Sequence, residues 1–167
     1  MMDNPEPGAT LHQKISGARE YEAAIDTLIS HARNSLRIFD YNLADGGYNS
    51  LLRFELLRDF LLSSRRNQLD IVLHDTSYLT QYCPRILLLL SQFSHAIRVQ
   101  QINPEARNIY DPLIVADTAH HLHRFHYDGP NALLVLNDIT ATSVLSRRLD
   151  EIWATSTPAV FCTTLGL

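Results

Sequence analysis

The stretch DPLIVADTAHHLHRFHYDGPNALLVLND, residues 111–138, decides the fold. It holds three strand candidates in succession, Leu113–Ala116, Ala119–Tyr127 and Ala132–Leu136. Asp117-Thr118 and Asp128-Gly129-Pro130 break the chain between them, because Asp, Gly and Pro favour turn conformations. The stretch ends on Asp138, placed to cap an amphipathic helix that runs through Val144, Leu145, Leu149 and Ile152 to Trp153.

Upstream the rhythm differs. Ala18–Arg33 sets Tyr21, Ile25, Leu28, Ile29 and Ala32 at helical spacing. A short strand, Leu36–Tyr41, follows, and Gly46-Gly47 breaks the chain after it. Asn49–Ser64 repeats the helical period, Leu69–Leu73 reads as a second strand, Arg85–His95 as a leucine-rich helix behind Pro84, and Ile97–Ile102 as a third strand. Alternation of helix and strand with short links predicts parallel pairing in this half. The tail from Pro158 adds a candidate edge strand.

Composition narrows the chemistry. With 46% apolar and 19% charged residues the chain is expected to be globular, and a net charge of -4 gives no general attraction to nucleic acid. Cys83 and Cys162 form no paired motif and read as reduced thiols of a cytoplasmic protein. The N-terminus lacks the pattern of a signal peptide, and the longest apolar run, Ile86–Leu90, is too short to span a bilayer. Lys14 is the sole lysine, beside thirteen arginines. Schiff-base chemistry and lysine-bearing phosphate loops in the core are therefore excluded.

Several stretches together resemble one repeat of the phospholipase D superfamily, across roughly Tyr21–Ser156. They are Ala32-Arg-Asn-Ser-Leu-Arg-Ile38, the arginine-ended helix and strand Leu61–Leu73, and Asn131-Ala-Leu-Leu-Val-Leu-Asn-Asp138 with its helix ending Leu149-Asp-Glu-Ile-Trp153. The resemblance implies an α/β fold, an α-β-α sandwich with a mixed sheet and helices on both faces. A flexible lead, 1–16, would precede a domain over 17–167. The family's signature is His-x-Lys, then Asp after four residues. Asp117 fits the aspartate, but counting back places Pro112 at the lysine position and Tyr110 at the histidine position. Proline offers neither charge nor donor, and a phenol that ionises near pH 10 is a poor stand-in for imidazole. The glycine-serine and asparagine that often follow are replaced by Arg124-Phe125 and Asp128. The expectation is a domain with no catalytic residue and no cofactor that acts by binding or assembly. Because active members set two motif-bearing repeats face to face, the resemblance implies a homodimer or a protein partner.

Two clusters remain. Asp40, Tyr41, Asn42, His74 and Asp75 stand at the C-terminal ends of the parallel strands, where open α/β sheets bind ligands; the aspartates also suit capping. With Tyr110, Asp117, His123 and Arg124 they make up the expected site for a phosphate-containing or other anionic ligand, and Arg107 is a further candidate cation. On the strand, His121 and His123 share one face and form a metal half-site that Asp117, Asp111 or His74 would complete. The alternatives are thus a metal-dependent hydrolase built on that pair, and a nuclease-like module that grips nucleic acid without cutting it.

Overall fold

A computed structural model describes residues 8–106, 109 and 111–159. In chain order these form β1 (Leu11–Ser16), α1 (Ala18–His31), β2 (Ser35–Asp40), α2 (Leu51–Leu62), β3 (Gln68–Leu73), α3 (Ser77–Tyr82) and α4 (Pro84–Gln92). Then come β4 (Ile97–Ile102), a 3₁₀ turn at Pro104–Ala106, β5 (Leu113–Ala116), β6 (His120–Arg124), β7 (Asn131–Leu136), α5 (Ile139–Ala154) and β8 (Ser156–Pro158). The strands make one sheet of order β1-β7-β6-β5-β2-β3-β4-β8. Among the described residues only the β2–β3 and β3–β4 pairs are parallel, matching the alternating half of the sequence. The successive strands β5, β6 and β7 pair antiparallel, and β5 joins the two halves by pairing antiparallel with β2.

The pleat sorts the side chains onto two faces. Leu36, Ile38, Leu69, Ile71, Ile114, Leu122 and Leu134 pack with Ile25, Leu28, Leu57 and Leu89 beneath α1, α2 and α4. Phe39, Val72, Leu113 and Val115 face the other way, against Leu149 and Ile152 of α5. The helices thus cover both faces of a mixed sheet, as expected. Asp138 caps α5, its Oδ1 accepting from the Ala141 N–H at 3.0 Å.

Two elements depart from the sequence reading. Leu11–Ser16, placed in a flexible lead, is an edge strand in register with β7 from Leu11↔Leu136 to Ser16↔Asn131. Its side chains are exposed except for Ile15, buried at 4% exposure, and the half-buried Leu11, so its apolar signal is weak. Ser77–Tyr82, a stretch given no element between the second strand and Pro84, is a short helix, preceded by Asp75, whose Oδ1 accepts from Ser77 N at 2.8 Å. The edge strand expected at the tail pairs with β4 over Ser156–Pro158.

Candidate functional site

Asp40, Tyr41 and Asn42 close β2, and His74 and Asp75 follow β3, so the structure does bring this cluster together. Backbone groups occupy much of it. Asp40 accepts from Tyr41 N at 2.8 Å and Leu43 N at 3.2 Å, and Asn42 Oδ1 accepts from Ala44 N at 2.9 Å. His74 Nε2 donates to the Ile109 carbonyl at 2.6 Å, tying the β4–β5 loop to the sheet end. A row of rings runs outward from the core, tilted at Phe39–His74 (centroids 5.5 Å apart) and stacked at His74–Tyr41 (5.2 Å), Tyr41–Tyr127 (4.6 Å) and Tyr127–His126 (4.9 Å). Burial pushes the Asp40 carboxyl up to about 7, against the pull of its backbone donors and Arg124.

On the α5 face, His123 Nε2 donates to Asp111 Oδ2 at 2.7 Å, and Arg148 of α5 clasps the other carboxylate oxygen. Burial opposes the charge on Asp111, yet His123 and Arg148 outweigh it and hold the carboxyl below its usual range. Beside this triad lies a cavity of about 590 Å³ lined by Ile109, Val144, Arg147, Arg148 and Glu151. His121 shares this face with His123, as the strand period predicts, but its Nδ1 bonds to Thr142 Oγ1 at 2.8 Å. Burial, reinforced by His123 and His12, drives the His121 imidazole down to about 4. No group of three or more His, Cys, Asp or Glu side chains is arranged around a metal position among the described residues. Asp111 is committed to Arg148, Asp117 is at the other end of the sheet, and His74 is engaged with Ile109.

The remaining expected site residues separate. Arg124 follows His123 on β6 and so points to the opposite face, over the ring of Tyr21 at 4.9 Å. Its Nε donates to the Gly129 carbonyl at 2.7 Å and its Nη1 to Asp45 at 3.1 Å. Asp117 lies beside the start of β2, at the far end of the sheet from Asp40. In a left-handed conformation at φ 55, it accepts from Arg33 N, Asn34 N and Ser35 N, the shortest of these at 2.7 Å. The aspartate that fitted the motif thus knits the α1–β2 turn, at the end of the β5–β6 pair away from His123. Pro112 is buried at the mouth of β5, where its carbonyl accepts from Arg124 N at 2.9 Å. Tyr110 and Arg107 lie outside the described residues. Sequence reasoning missed Arg147, Arg148 and Asp45. Arg147 and Arg148 stand 36 and 37 residues beyond Asp111 in the chain, and no local pattern links Arg148 to that aspartate.

A family model described as Domain of unknown function (DUF7931) matches residues 17–164. The chain belongs to this family. No curated protein matches the DUF7931 chain, but solved structures do. TrmBL2, described as an archaeal chromatin protein with a novel mode of DNA binding, superposes with a TM-score of 0.69 at 9% identity, over 95% of the DUF7931 chain and 57% of its own. This chain therefore spans little more than half of TrmBL2. Nuc of Salmonella typhimurium, described as a phospholipase D family member, gives 0.62 at 14% identity over 92% of this chain and 100% of its own. NucT from Helicobacter pylori gives 0.60 at 13%, over 90% and 100%. At such identities the likeness establishes the fold alone: the chain has a phospholipase D-like α/β fold.

Proposed function

We propose that this domain keeps the phospholipase D-like scaffold without its covalent phosphodiester chemistry and works as a binding or assembly module. The observation that carries this reading is the chain's lysine content. Lys14 sits exposed on the edge strand β1, two strands away from β6, and Pro112 occupies the position the signature gives to lysine. A route through a phospho-histidine needs both the nucleophile and the cation that holds the phosphate.

The ligand favoured is a phosphate-bearing or other small anion in the cavity beside Ile109. Arg147 lines it and has no ion pair among the described residues, and Arg148 lines it while bridging to Asp111. On this reading the anion site is on the α5 face and Arg124 has no part in it. Guanidinium groups suit phosphate because their planar donors match its oxygens.

Two measurements test the reading. Incubation with bis(p-nitrophenyl) phosphate is expected to give no turnover; turnover abolished by His123→Ala would overturn the non-catalytic part. Titration with inorganic phosphate and with AMP, followed by NMR, is expected to saturate and to weaken in Arg147→Ser. If neither probe saturates, the ligand assignment falls. A short DNA duplex, suggested by the description of TrmBL2, is expected to bind weakly and to dissociate with added salt, because the chain carries net charge -4.

A further inference from the structure

A second cavity lies on the opposite face of the sheet, between the start of α1, the β2–α2 loop and the β6–β7 turn. Its volume is about 270 Å³, just under the roughly 300–1,000 Å³ of pockets for drug-sized ligands, so its occupant is small. Gly46, at φ 94, lets the loop lie against the wall. A Cβ there would come within 2.8 Å of Ile25 Cδ1 and 3.4 Å of Tyr21 Cε1.

The polar groups around it are unevenly used. Tyr21 is 5% exposed and lines the cavity, yet its hydroxyl has no hydrogen-bond partner among the described residues. Burial, with Asp40 next in weight, holds that phenol far above its ordinary range, so it is a neutral donor. Arg124, its guanidinium carbon 4.9 Å from the centre of the Tyr21 ring, spends one N–H on the Gly129 carbonyl and one on Asp45. The other N–H groups of its guanidinium remain for a ligand. Glu22, Asp45 and Asp128 complete the charged lining. Asp45 is paired with Arg124 and Asp128 with His126, while Glu22 has no ion pair among the described residues.

Three carboxylates against one guanidinium disfavour a simple anion and favour a ligand that brings a positive charge. The unspent Arg124 donors and the Tyr21 hydroxyl favour a carboxylate as well. We propose that this cavity binds a small zwitterion of the α-amino-acid type, its ammonium held by Glu22 and Asp45 and its carboxylate by Arg124 and Tyr21. The site shares no residue with the α5-face cavity, so it stands or falls independently of the anion reading.

The test uses three probes on the full chain by calorimetric titration: L-alanine, n-propylamine and propionate. L-alanine is expected to saturate, n-propylamine to bind more weakly and propionate not to bind. Glu22→Gln changes an exposed residue, and Tyr21→Phe removes only an oxygen. Each is expected to weaken L-alanine binding about tenfold while the fold survives in both. Three outcomes would overturn the proposal: no saturable response to L-alanine, tighter binding of either half-probe than of L-alanine, or unchanged L-alanine affinity in both variants.

Discussion

Asp117 and Asp40 are two aspartates at opposite ends of neighbouring strands, and their environments give them opposite duties. Asp117 is ringed by three backbone donors, so Asp117→Ala strands those N–H groups and leaves alanine at a positive φ. The expected cost is about 1–3 kcal/mol in urea denaturation, with phosphate binding unchanged in the folded protein. Asp117→Asn is expected to cost less, since asparagine tolerates the left-handed region and keeps one acceptor. Asp40 is pushed up to about 7 by burial. Between its ordinary 3.8 and about 7 the folded state binds the proton that the unfolded state has released, so stability falls as pH rises through that window. At about 1.36 kcal/mol per pH unit the full effect has a ceiling of about 4 kcal/mol. His121 works in reverse. It is held at about 4 against an ordinary 6.5, so stability is lost as pH falls through that range. The two slopes oppose each other in the wild type below pH 6.5. Asp40→Asn removes one of them. Its urea midpoints, measured from pH 4 to pH 8, are expected to fall on the acid side and to level off above pH 6.5, where the wild type still declines.

Among the elements, β1 is the one whose importance the sequence conceals. Removing residues 1–16 leaves the edge of β7 unpaired and takes the buried Ile15 out of the core, and is expected to lower the melting temperature by several degrees in calorimetry. An unchanged melting temperature would show β1 to be dispensable. Most of the other elements were legible because burial on one face imposes a period: Ile25, Leu28 and Ile29 in α1, or the apolar runs of β3 and β5. β1 gives no such pattern, because an edge strand hides little more than Ile15. Six-residue α3 is too short to show one. The site was harder still. Counting from a signature fixed which residue matched Asp117, but not which end of the sheet it occupies. The alternation of a strand did foretell that His121 and His123 share a face, and it equally separates His123 from Arg124. The two cavities draw on residues far apart in the chain, such as Tyr21, Asp45 and Arg124, or Ile109 and Arg147, which no local pattern links.

For the whole molecule, the helices are shared unequally. Among the described residues four lie on one side of the sheet, while α5 alone covers the other and turns Ile139 and Val144 outward at 65% and 64% exposure. The assembly reading therefore predicts that light scattering gives a particle near twice 19.0 kDa. A particle of 19.0 kDa would turn the search towards a different protein partner. The order of the sheet carries one more consequence, for how the chain comes off the ribosome. β1 is synthesised before the other strands of this sheet, yet its partner β7 follows only much later, since Leu11 pairs with Leu136. Closing so large a loop is entropically slow. Meanwhile β2, β3 and β4 can join from consecutive segments. The nascent N-terminal segment thus waits as an unpaired ribbon until nearly the whole sheet exists. The β1–β7 seam is the natural place for chaperone capture, or for exchange of strands between two half-finished chains.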